Sequence, residues 1–96
     1  MDVRYGSFIW DADKEKVNAG KHGVDFKMAA RAFLDERRVN THDSKHSRLE
    51  ERWFCIGNVD GRIVTVRYTF RAGHIRIIGA GTWRKGKMAY EKANRR

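Results

Sequence analysis

With 96 residues the chain has room for one domain, residues 1–96, and a modest core; 41% hydrophobic and 11% aromatic residues exclude a disordered chain despite 34% charge. Twenty-one Lys and Arg stand against twelve Asp and Glu, a formal +9, and so large an excess points to a polyanionic partner such as nucleic acid or an acidic protein segment. No stretch approaches the roughly 20 apolar residues of a membrane span, no apolar run follows basic residues as in a secretory signal, and the lone Cys55 cannot close an internal disulfide, so we expect a cytoplasmic protein with a buried thiol.

Phe8-Ile9-Trp10 reads as an opening strand. Asp11 then caps a helix whose first turn carries Asp13 and Glu15, and which ends near His22 at Gly23. Asp25 caps a second helix, where Phe26, Ala29, Ala30 and Phe33 keep the i, i+3, i+4, i+7 spacing of an amphipathic face. Val39 to Thr41 is a candidate strand, and Asp43 to Leu49 a polar connection. Arg52 to Val59 and Ile63 to Phe70 are strands joined at Asp60-Gly61, a strong turn signal. Ala72-Gly73 turns the chain into His74 to Ala80, and Trp83 to Asn94 closes it as a helix. The order predicts an α+β fold: a mostly antiparallel sheet of four to five strands, two N-terminal helices and a C-terminal helix, with the helices on one face.

Alternation separates the two faces of that sheet. Val64, Val66, Tyr68 and Phe70 share one side with Ile75 and Ile77; Thr65, Arg67, Thr69 and Arg71 share the other with His74 and Arg76. The second side is the candidate binding surface. RNA can be cut there without a metal if a base takes the ribose 2′-OH proton, cations hold the charged phosphate and an acid protonates the leaving oxygen. Arginine suits the middle task, because its planar fork binds phosphate oxygens in pairs. Arg71 and Arg76 are the first candidates, followed by Arg52, with Arg67 a further phosphate contact.

The stretch Asp43-Ser-Lys-His46-Ser-Arg-Leu-Glu50-Glu51-Arg52 gathers proton-transfer groups at a strand entrance. His22, His46, Glu50, Glu51 and Tyr90 are the candidate acids and bases. Each also has a purely structural reading: Glu50 and Glu51 as ion pairs with Arg48 or Arg52, His46 bonded to Asp43, Tyr90 packed on the sheet. The spacing of Asp43, His46 and Glu50 matches no zinc motif, and Gly79-Ala-Gly81 lacks the context of a nucleotide loop. We therefore expect no metal and no cofactor. Trp10 reads as packed, while Trp53 or Trp83 could stack a base.

These residues together resemble the BrnT family, a RelE-like branch of the ribonuclease toxins of type II toxin–antitoxin systems. The resemblance runs from Phe8-x-Trp10-Asp11 through Lys21-His22-Gly23-Val24-x-Phe26, Asp43-x-x-His46-Ser47, Glu50-Glu51-Arg52 and Tyr68-Thr69-x-Arg71 to Ile75-Arg76-Ile77-Ile78 and Tyr90. It implies a toxin that cuts RNA without a cofactor and is neutralised by a BrnA-like, DNA-binding antitoxin. It further implies contact with operator DNA through that antitoxin, and a homodimer or a heterotetramer with it. Carried over by position, it implies functional roles at Lys21, His22, His46, Glu51, Arg52, Arg71, Arg76 and Tyr90. One departure stands out. The family usually follows the Ile-Arg-Ile-Ile strand with Ser-Ala-Arg, whereas this chain reads Gly79-Ala80-Gly81. Arg84 and Lys87 could supply cations in place of the missing arginine; otherwise the chain would be a non-catalytic module that binds nucleic acid or antitoxin.

Overall fold

The computed structural model describes residues 1–95. A hairpin of β1 (Asp2–Tyr5) and β2 (Phe8–Asp11) leads into α1 (Ala12–His22) and α2 (Phe26–Arg31), then a 3-10 turn at Ala32–Leu34. β3 (Val39–His42), β4 (Trp53–Val59), β5 (Arg62–Arg71) and β6 (His74–Gly81) follow, and α3 (Arg84–Ala93) is the last helix. Both helix starts follow from local chemistry: the Asp11 and Asp25 carboxylates accept from the backbone N–H groups of Lys14 and Met28.

The α+β class is as expected, but the sheet is larger and differently connected. It has six strands in the order β1-β2-β6-β5-β4-β3. It is mixed, because β2 pairs with β6 in parallel while the other pairs are antiparallel. The hairpin was the element not foreseen, although Gly6-Ser7 between Tyr5 and Phe8 is a two-residue turn signal. α2 is also short, six residues, and passes directly into its 3-10 turn.

The helices do not share one face. Phe26, Ala29 and Ala30 of α2 pack with Trp10, Val64, Val66, Tyr68 and Ile77 in the core. α3 lies on the opposite side, with Gly86 seated directly over Thr65, which is why Thr65 is buried. The predicted polar face is thus half covered and half open. At the other margin Phe70, expected in the core by alternation, is 62% exposed because β5 outruns the layer above it. A bulge in β6 pairs Gly79 with Arg67 and Ile77 with Tyr68, leaving Ile78 without a partner. It lets Ile77 and Ala80, three residues apart, both reach the buried side. Asn18 then completes the free edge of β6: its amide accepts from the Ala80 N–H at 3.1 Å and donates to the Ala80 carbonyl at 2.8 Å. Cys55 is fully buried, and burial pushes its thiol up to about 12. No helix among the described residues is long and apolar enough to cross a membrane.

Candidate functional site

The open half of the polar face is built from four strands and one loop. On β5, Arg67, Thr69 and Arg71 alternate toward it, and the register sets Gly79, Arg76 and His74 of β6 opposite them. β2 and β1 extend the same face through Ile9, paired with Arg76, and Arg4, paired with Ile9. Arg71, Arg76, Arg4 and His74 consequently line one cleft of about 340 Å³, with Asp2 at its side.

Carboxylates hold these guanidinium groups in place. Arg76 donates two bonds to Asp2, at 3.0 and 3.2 Å, and only 15% of its side chain is exposed. That bond keeps the Asp2 carboxyl below its usual range. Arg71 donates to both oxygens of Glu50, at 3.0 and 3.3 Å. The hydrogen bond from Arg71, reinforced by the charges of Arg71, Arg52 and Arg76, lowers the Glu50 carboxyl despite its partial burial. Arg52 reaches Glu50 only at 3.8 Å, and its Nε is buried with no hydrogen-bond partner among the described residues. His74 places Nδ1 at 3.0 Å from the Ala72 carbonyl, so Nδ1 carries the proton and Nε2 accepts from Arg4 at 2.7 Å. Four guanidiniums against two carboxylates leave the cleft with a positive surplus that an anion can neutralise.

The loop that delivers Glu50 and Arg52 is closed on itself. The Asp43 N–H donates to the Arg52 carbonyl at 2.8 Å, Ser47 Oγ donates to the Asp43 carbonyl at 2.7 Å, and the Arg52 N–H donates to Ser47 Oγ at 2.8 Å. Thr69 Oγ1 fastens it to β5 through the Glu51 carbonyl at 2.6 Å. Within the loop, the buried Asp43 carboxylate lies 2.9 Å from His46 Nδ1, which fixes the ring, and about half of the His46 side chain is exposed. The structure therefore gathers Arg52, Arg71, Arg76 and Glu50, with His46 on the same loop. Glu51 instead bonds His42.

The remaining candidates lie elsewhere. Arg67 extends the face toward Gly79. Lys21 and His22, at the end of α1, line a cleft against Ile78. Arg84 and Lys87 line another beside Trp83. Tyr90 is on the buried side of α3, and its hydroxyl donates to Asp35 at 2.5 Å. Burial and that bond push the phenol up to about 12. Asp2 and Arg4 had no place in the sequence reading because the strand that carries them was not foreseen.

Asp35 is an anchor with a testable pH signature. It also accepts from the N–H groups of Asn58 at 2.7 Å and Arg37 at 2.9 Å. Burial pushes its carboxyl up, but the bonds from Tyr90, Asn58 and Arg37 outweigh it and the folded value is lowered. The stability this gives is complete above the ordinary carboxylate value of about 4 and is lost as pH falls through the lowered one. Thermal melting of Asp35→Asn should therefore lie below the parent at neutral pH and converge toward it on acidification. A constant gap down to the acid limit would count against the anchor.

Among the described residues no group of three or more His, Cys, Asp or Glu is placed to hold a metal ion. A family model described as ribonuclease toxin, BrnT, of type II toxin–antitoxin system matches residues 10–86. No curated protein matches the chain.

Proposed function

The chain belongs to the BrnT family of ribonuclease toxins of type II toxin–antitoxin systems, and on that premise we propose that it cuts RNA in the cytoplasm at its open sheet face, without a metal ion. The observation that carries this reading is the pairing of Arg71 with Glu50 beside Arg52, on the same face where Asp2 holds Arg76. Arg71, the more exposed of the two strand arginines, exchanges Glu50 for the scissile phosphate, while Arg76 and the partly exposed guanidinium tip of Arg52 take its other oxygens.

Losing Arg71 raises the proton affinity of Glu50, which then accepts the ribose 2′-OH proton. The 2′ oxygen attacks phosphorus, the bond to the 5′ oxygen breaks, and His46, aimed by Asp43, supplies the proton to that oxygen. Positive charge fixed around the phosphate stabilises the transition state in which negative charge builds up. The products are a 2′,3′-cyclic phosphate end and a 5′-hydroxyl end. An antitoxin partner follows from the family; an acidic, BrnA-like segment lying on this cationic face would block it by occupying the phosphate site.

The test is incubation with a transcript in excess EDTA. Cleavage leaving cyclic phosphate ends, blocked by a 2′-deoxy substitution at the cut, is the expected result; cleavage only on adding magnesium ions, or none, would count against it. A second reading, a binding module without catalysis, draws on Gly81 standing where the family usually has arginine. It predicts binding that weakens steeply with salt while RNA length stays unchanged.

A further inference from the structure

Trp83 links β6 to α3 and is 38% exposed. A Cβ on Gly81 would fall 2.7, 2.8 and 2.9 Å from three successive atoms of its six-membered ring, Cζ2, Cη2 and Cε2. Near-equal distances to three neighbouring ring atoms mean that a face of the indole, not its edge, lies against Gly81. His22 packs obliquely on the same ring, with centroids 5.0 Å apart and planes at 67°. One face of the ring is thus backed by bare backbone and the ring is braced by an imidazole, while 38% of the residue stays exposed. An arginine at position 81 would collide with the ring where it lies.

The charge around this ring is uniform. A cleft of about 260 Å³ beside it is lined by Arg62, Arg84 and Lys87, with Gly61, Ile63 and Thr82 and no acid. Arg62 turns toward α2, where it donates to Met28 Sδ at 3.6 Å; unlike Arg71 and Arg76, Arg84 and Lys87 form no salt bridge with a carboxylate among the described residues. The ring also continues the open face: Arg67, opposite Gly79, lies between it and Arg71, and four residues along a strand span roughly 13 Å. An aromatic platform flanked by unpaired cations and joined to a phosphate-binding face is the arrangement that holds single-stranded nucleic acid.

We propose that Trp83 is a stacking platform for one base of a single-stranded RNA, seated beyond the cleavage site, with Arg84 and Lys87 neutralising the phosphates on either side of that base. The proposal rests on the RNA-cleaving reading above and adds a subsite to it. Every base has a π face, so the platform sets grip and register on the strand without selecting its sequence.

The test uses two strands of equal length and equal phosphate count, protected from cleavage by 2′-O-methyl groups. One carries bases throughout and the other is abasic in its central residues. The full chain should bind the base-bearing strand more tightly by roughly 5- to 150-fold, the range found for losing one stacked base. Trp83→Leu should erase that preference while keeping the affinity for the abasic strand and its salt dependence, and Trp83→Phe should keep most of it. Equal binding of both strands by the parent, which needs no variant to fold, overturns the proposal and leaves the ring as a protein-docking surface. Retention of the preference by Trp83→Leu overturns it too. Cleavage of ordinary RNA is read separately: a parent that prefers bases but does not cut sinks the ribonuclease reading alone, and one that cuts without preference sinks only the platform.

Discussion

Alanine at both Arg71 and Arg76 is expected to abolish measurable RNA cleavage, with each single change lowering the rate by roughly a hundred- to a thousandfold, the range for removing one preorganised donor from a developing oxyanion. The two singles should differ in their side effects. Arg71 is 53% exposed and its only side-chain partner among the described residues is Glu50, itself near Arg52, so Arg71→Ala should melt close to the parent, as surface changes do, within about 0.5 kcal/mol. Arg76 is largely covered and fastens β6 to Asp2 of β1; removing it strands that carboxylate, so Arg76→Ala should lose both cleavage and some stability. Arg76→Lys restores the charge but not the two-pronged grip, and should recover stability more fully than rate. The readout is single-turnover cleavage in EDTA beside a thermal melt. Cleavage by the double variant at the parent rate would remove the phosphate site from this face.

That Arg71 and Arg76 share the polar face was legible in the sequence, because alternation along β5 and over His74 to Ile77 of β6 separates them from Val64, Val66 and Ile77. The same alternation could not show which part of the polar face stays open. That depends on α3 crossing over Thr65, a contact set by the packing of a distant segment. Local periodicity also could not choose between Glu50 and Glu51, since the loop before β4 has no period. The Ser47 hydroxyl and Thr69 decide it by fixing where the loop enters the strand. The parallel pairing of β2 with β6 joins residues more than sixty positions apart, and no window of sequence contains such a pair. The caps at Asp11 and Asp25 were legible because each carboxylate acts on a donor three residues away.

Gly57→Ala should destabilise the fold strongly, and its cause lies entirely in backbone. Gly57 opposes Val64 on the buried side of β4. A Cβ there would stand 2.3 Å from the Ala32 carbonyl oxygen, 3.0 Å from its carbon and 3.1 Å from its Cα. No rotamer can relieve that collision, and Ala32 is itself fully buried, so the 3-10 turn at Ala32–Leu34 must lift off the sheet. Lifting it would draw Asp35 away from the Asn58 N–H and Tyr90 hydroxyl it now bonds at 2.7 and 2.5 Å. Overpacking of this kind costs about 1–3 kcal/mol, and each kcal/mol lowers the melting temperature of a domain this small by roughly 4–8 °C. Gly20→Ala supplies the control of opposite sign. Gly20 lies inside α1 with open space around it, so alanine there should stabilise by up to about 1 kcal/mol through helix propensity. Equal melting of the two variants would mean that α2 and its 3-10 turn do not sit this close to β4.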